Sequence, residues 1–236
     1  MLSKWRKSRN SESPKRFVAP ASFQLLQHIN LSHCCYQPDQ VNEISFCPQH
    51  MSVMEYQDPR FGVETVDAVY PEDRDSALVL DVRCGTGLVA EGLQKVGFKK
   101  FHGIDGSERM VNIVKSKGLY QSLTQWMGTA DNSLPIKSGT YDLVTVVGGL
   151  AQQYLPWDNL PELLRVTKSG GFNGLTMRAE ESDHRSKLLT LIQELVNKGL
   201  WEKVVERYVE KWQKEMLETK VSEEYVDGVV AIYRKI

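Results

Sequence analysis

Carboxylates and glycines recur at one kind of place in this chain. Asp81 stands near the end of the apolar run 77–82 and leads into Gly85-Thr86-Gly87. Asp105 lies 24 residues further on and is followed by Gly106-Ser107; Gly128-Thr129-Ala130-Asp131 and Val147-Gly148 come later, each after another apolar run. Glycine in such turns permits φ values that other residues avoid and leaves no Cβ between backbone and a ligand. An acid at the position of Asp105 suits the two hydroxyls of a ribose. Asp131, one strand further out, suits an adenine amino group. The bland alternatives are a helix cap for Asp105 and an ordinary loop acid for Asp131. Taken together these residues describe a cradle for one nucleoside. A dinucleotide competes, because Gly85 to Ala90 also fits G-x-G-x-x-A, with a pyrophosphate on the following helix N-terminus. That ligand needs a second mononucleotide half, and about 60 residues after the fifth strand leave little room for it.

The elements that must position these residues follow from periodicity. Short apolar runs at 77–82, 100–104, 123–127, 141–147 and 172–177 predict buried strands. Helical patterns at 88–95, 107–117 and 160–166 alternate with them, Ser107 capping the second. Lys168 to Gly171 reads as the C-terminal turn of the third helix. Alternating strands and helices make an α/β fold with a parallel sheet covered on both faces. The carboxyl ends of its strands then form one crevice. Beyond 180, Ser182 to Lys198 predicts an amphipathic helix and 201–212 and 229–233 two late strands. Trp201, Trp212 and Tyr225 read as core or rim residues.

Net charge is −1 over 236 residues, so nothing global attracts nucleic acid or an anionic membrane. No apolar run reaches the roughly 18 residues of a spanning helix. Cys34, Cys35, Cys47 and Cys84 are too few and too clustered for a disulfide framework. They point to a reducing, cytoplasmic compartment, with mitochondrion and nucleus as alternatives. Residues 1–16 carry six cations against Glu12 and read as a solvated basic tail, a presequence or a basic patch being the other readings. Residues 17–76 form an irregular, partly helical segment, with a short amphipathic helix at 60–70. Cys47-Pro48-Gln49-His50 has the spacing of half a zinc site, but His33-Cys34-Cys35 does not supply the other half, so no metal is expected. The break at 71–76 is the expected boundary to a domain over 77–236.

Five segments in order carry a family resemblance: DVRCGTG (81–87), HGIDGS (102–107), GTADNSLP (128–135), YDLVTV (141–146) and ELLRVTKSGG (162–171). They resemble class I S-adenosylmethionine-dependent methyltransferases. ALVLDVRCGTGLVAEGL and VGGLAQQYLP are more closely similar to the methyltransferase-like proteins named after the Williams-Beuren syndrome chromosome region. The resemblance implies a Rossmann-like, seven-stranded, mostly parallel sheet whose last strand is antiparallel, and S-adenosyl-L-methionine as cofactor. It implies Gly85 and Gly87 against the methionine portion and Asp81 on its amino group. It gives Asp105, Gly106 and Ser107 to the ribose, Ala130 and Asp131 to adenine, and Val147 and Gly148 to the floor near the sulfonium. Arg83 stands where the family has Gly or Ala. Its side chain either enters the cofactor pocket or turns aside to pair with the cofactor carboxylate. A helix that lids the cofactor in relatives has no clear counterpart in residues 17–75.

The implied reaction is methyl transfer to a small molecule or a protein side chain, a displacement in which the protein aligns two reactants. No convincing general base stands out: His102 reads as structural and His184 is the better candidate. Gly148-Gly149-Leu150 replaces the Asn-Pro-Pro-Tyr element of amino-methylating relatives, which argues against DNA adenine as acceptor. The alternatives are a non-catalytic binding or scaffold protein whose pocket Arg83 has altered, and a nicotinamide-dependent oxidoreductase.

Overall fold

A computed structural model describes residues 54–71, 73–128, 133–151, 155–216 and 221–236. Helix α1 (Asp58–Val69) comes first, with a proline in its opening turn, where the missing N–H costs nothing. Then follow β1 (Leu78–Val82), α2 (Leu88–Lys95), β2 (Lys100–Asp105), α3 (Glu108–Lys115), β3 (Ser122–Gln125) and β4 (Tyr141–Val146). The rest is a 3-10 turn (Trp157–Asn159), α4 (Leu160–Val166), β5 (Thr167–Arg178), α5 (Asp183–Asn197), β6 (Trp201–Met216) and β7 (Val221–Lys235).

Seven strands form one sheet in the order β3-β2-β1-β4-β5-β7-β6. The first five run parallel, and β7 lies antiparallel to both β5 and β6. This is the expected Rossmann-like sheet with a reversed last strand. The chain moves outward from β1 to β3, then returns to β4 on the other side of β1. That reversal opens a crevice at the carboxyl ends of β1 and β4. After β5 the chain supplies one helix and a long hairpin, not a second βαβ half.

Both faces of the sheet are buried, which is why its central strands are apolar throughout. On one face α1 and α2 contribute Val63, Val66, Val89, Ala90 and Leu93, packed with Val79, Phe98 and Phe101. On the other, Leu160, Leu163, Leu188, Ile192 and Leu195 of α4 and α5 pack with Leu80, Val144 and Leu175. Trp201 is 1% exposed, stacks on Tyr233 at 4.9 Å between ring centroids, and donates to Asn173 at 3.0 Å. Caps match the sequence: Ser107 accepts from Met110 N at 3.3 Å and Ser182 from Arg185 N at 3.1 Å.

Three elements depart from expectation. The stretch 168–171 is not a turn but part of β5, which begins at Thr167 by pairing with Tyr141 and absorbs the glycines at a bulge. The two late strands are far longer than their apolar cores, because pairing with each other sustains the ladder beyond the packed stretch. The helix expected at 60–70 starts at Asp58 and shares the core of the sheet that follows it. The basic tail and the His33, Cys34, Cys35, Cys47 and His50 cluster lie outside the described residues. Among the described residues no group of His, Cys, Asp and Glu could hold a metal, and no helix is long and apolar enough to cross a membrane.

Candidate functional site

The crevice is built from turns. After β1, Arg83, Gly85 and Gly87 all have positive φ, at 61°, 51° and 85°. Gly87 then opens α2 in the left-handed region, and a Cβ there would meet Val114 at 2.8 Å. That turn is fastened to the end of β2. Asp105 accepts from Gly85 N through Oδ2 and from Ser107 N through Oδ1, both at 2.9 Å. Each carboxylate oxygen keeps a further lone pair, the capacity two ribose hydroxyls require. Gly106 is pinned from below by Gln125, whose Nε2 donates to its carbonyl at 3.1 Å.

Asp81 lies under the same turn. Tyr120 Oη donates to its Oδ2 at 2.7 Å and Thr145 Oγ1 approaches Oδ1 at 3.3 Å. The residue is 1% exposed, so its carboxylate is enclosed beneath the turn. Burial pushes its pKa up to about 7, and the Asp105 charge adds to the rise, while the Tyr120 and Thr145 bonds oppose it. Burial likewise raises the Cys84 thiol, with both carboxylates adding to it, so Cys84 is an inert wall.

The far side of the crevice is Val147-Gly148-Gly149. Gly148 has φ 69° and donates its N–H to Thr176 Oγ1 at 2.8 Å. The Tyr56 hydroxyl lies where a Gly148 Cβ would be, and Asp58 Oδ2 lies 3.4 Å from that point. Asp58 itself is 6% exposed. It accepts from Trp212 Nε1 and, at 3.4 Å, from Thr176 Oγ1. With its amide nitrogen turned toward Asp58, Gln213 donates to Oδ1 at 3.2 Å and accepts from Arg178 Nη2 at 3.2 Å. This pocket of Tyr56, Asp58, Thr176, Trp212 and Gln213 was not foreseen. Its only signal in sequence is Asp58-Pro59, a helix start.

Arg83 answers one of the open questions directly. Its side chain leaves a left-handed backbone and crosses the crevice. A Cβ at Gly149 would meet Arg83 Cβ at 2.9 Å, and one at Gly106 would meet Nη1 at 2.5 Å. The guanidinium therefore lies against Gly106, just past the end of β2, and the two glycines make room for it. The glycine turns, the Asp105 carboxylate and Gly148 after β4 fit the parts of an S-adenosyl ligand, with the Arg83 side chain lying between them. The structure thus brings Asp81, Gly85, Gly87, Asp105, Gly106, Ser107, Val147 and Gly148 to one crevice. Ala130 and Asp131 lie outside the described residues. Nearby, Asn159 Nδ2 holds the Gly128 carbonyl at 2.9 Å.

Of the two imidazoles, His102 Nδ1 bonds Tyr141 Oη at 3.0 Å within the sheet, a structural place. His184 has both ring nitrogens buried without a hydrogen-bond partner among the described residues.

In strand order and switch-point crevice the chain has the class I methyltransferase fold, and residues 80–173 match the family model of a methyltransferase domain. S-adenosylmethionine is the cofactor that this match implies. Among particular proteins, the chain is 38% identical over 159 residues to the human methyltransferase-like protein 27, a span of 66% of this chain and 64% of the relative's length. A methyltransferase from Aquifex aeolicus, described as dependent on the same cofactor, shares the fold at TM-score 0.50 and 22% identity, over 84% of this chain and 99% of that one. The cyclase SpnF shares it at TM-score 0.56 and 18% identity, over 75% and 81% of the two chains. The fold thus also carries a protein named for another reaction, so the acceptor must be argued from the site.

Proposed function

We propose that this chain transfers the methyl group of S-adenosylmethionine to a nucleophile on a small molecule or a protein side chain. The observation that carries the reading is the Asp105 carboxylate, which ties the β1 turn to the β2 turn at the edge of the crevice. The cofactor, when bound, brings an already activated methyl group. The chain's own residues hold and align. Asp105 takes the ribose hydroxyls, with Gly106 and Ser107 beside it. Gly85 and Gly87 let backbone approach the methionine portion, above Asp81. Ala130 and Asp131 frame adenine, and Val147 with Gly148 forms the floor toward the acceptor. Alignment of this kind is worth up to roughly 7–11 kcal/mol of barrier. The segments quoted above support kinship with the Williams-Beuren region methyltransferase-like proteins. The cysteine usage supports a cytoplasmic setting, and the neutral net charge supports an acceptor other than nucleic acid or membrane lipid.

Calorimetric titration with S-adenosylhomocysteine tests the reading. One-to-one binding is expected, with no thermal stabilisation by NAD(P). Asp105→Ala should weaken binding at least about ten- to a hundredfold, the worth of one hydrogen bond to a charged group, with an unchanged circular dichroism spectrum. Unchanged affinity would remove the ribose assignment. A second reading, a non-catalytic binding protein, is favoured by the one observation that Arg83 crosses the crevice. It predicts no heat from the wild-type chain.

A further inference from the structure

The pocket above Gly148 holds an enclosed carboxylate with neutral donors around it. Trp212 and Thr176 donate to Asp58, and Gln213 stands between it and Arg178. Arg178 is exposed and has its own acid, Glu180, at 3.7 Å. The opening turn of α1 adds the positive end of a helix dipole, which favours an anion without neutralising it. No cation touches Asp58 among the described residues. A buried carboxylate without a direct counterion is costly unless a cation arrives.

The crevice says where one would arrive. On the reading above, the ribose lies at the end of β2, so the rest of the ligand runs past the β1 turn toward β4. Its sulfonium then comes to Gly148. Asp58 Oδ2 and the Tyr56 hydroxyl are both within 3.4 Å of the point a Gly148 Cβ would occupy. We infer that Asp58 is the counter-charge for the cofactor's sulfonium, so that the site prefers the cationic methyl donor over the neutral thioether product. The inference rests on the proposed cofactor. It gives the pocket a role that methyl-transfer chemistry needs: product release is favoured because the charge that held the donor is gone. The groups facing Asp58 are Tyr56 before α1, Gly148 after β4, Thr176 and Arg178 on β5, and Trp212 and Gln213 on β6. Arg178 is the charged one. Burial pushes the Asp58 carboxyl up to about 7, against the Trp212 and Thr176 bonds and the Arg178 charge. The preference should therefore grow from pH 6 to pH 8 as Asp58 ionises.

The test is titration of the full chain and of Asp58→Asn with S-adenosylmethionine, S-adenosylhomocysteine and sinefungin, whose ammonium replaces the sulfonium. Asparagine keeps the shape and an acceptor for Trp212. The wild-type chain should favour the two cations over the thioether by about tenfold at pH 8, and less at pH 6. In Asp58→Asn the preference should vanish while thioether affinity stays within about twofold. Retained preference in the variant overturns the inference and leaves the cofactor reading standing. Absence of thioether binding by the wild-type chain overturns both. Should the variant lose thioether binding through misfolding, Thr176→Val, which removes one donor and keeps the carboxylate, must retain the preference; its loss there also overturns the inference.

Discussion

Arg83 is the residue at which sequence and site most directly oppose each other. A non-glycine residue at φ 61° is strained by about 1–2 kcal/mol relative to glycine. Glycine there would recover that strain and give back about 0.5–1 kcal/mol in unfolded-state entropy. Arg83→Gly should therefore change the urea midpoint little. It should tighten S-adenosylhomocysteine severalfold, because the ligand no longer has to displace a side chain lying from Gly149 to Gly106. Weaker binding in this variant would mean instead that the guanidinium turns aside to hold the cofactor carboxylate, the other fate open from sequence. That the residue mattered was legible in DVRCGTG. Which way it points was not, since rotamer choice depends on Gly106 and Gly149, distant in sequence and adjacent only in the sheet.

At the scale of elements, the pocket beside Gly148 depends on a defect in a strand. The pairing of β6 with β7 shifts between Val209 and Gln213, and Lys211 takes φ 51° there. The bulge turns Trp212 inward, flat against Gly228 of β7 and onto Asp58. Lys211 N is secured by Asp227 at 2.8 Å, which holds the bulge in place. Gly228→Ala puts a methyl group into the space of the indole. A loss of about 1–3 kcal/mol is expected, seen as a lower denaturant midpoint with an unchanged slope. An unaltered midpoint would show that Trp212 can relocate without cost. Alternation in 201–212 disclosed a strand but no bulge, because the two residues β6 gains between Val209 and Gln213 are defined only against the partner strand.

For the whole molecule, two buried carboxylates set the response to pH. Asp58 and Asp81 both have folded pKa values raised from 3.8 to about 7 by burial. A raised carboxyl binds its proton more tightly folded than unfolded. Stability is therefore greatest below about pH 4 in these terms and falls as pH rises toward 7, at up to about 1.4 kcal/mol per unit per group. His102 and His184 act oppositely: burial lowers them, so stability is lost as pH falls below 6.5. The net expectation is a melting temperature that rises as pH drops from 7.5 to 6.5, before the histidines intervene. Asp58→Asn with Asp81→Asn should flatten that rise; a slope unchanged by the pair would show that neither carboxyl titrates there.

Sequence by itself determined the strand and helix alternation and the crevice at the strand ends. These rest on local signals: apolar period, glycine turns and caps at Ser107 and Ser182 all act within a few residues. Only the tertiary structure decided that Asp58, Trp212 and Gln213 meet above Gly148, that Arg83 lies across the crevice, and that 168–171 extends a strand. Each of those joins segments separated by long stretches of chain, and a contact of that kind exists only once the sheet has assembled.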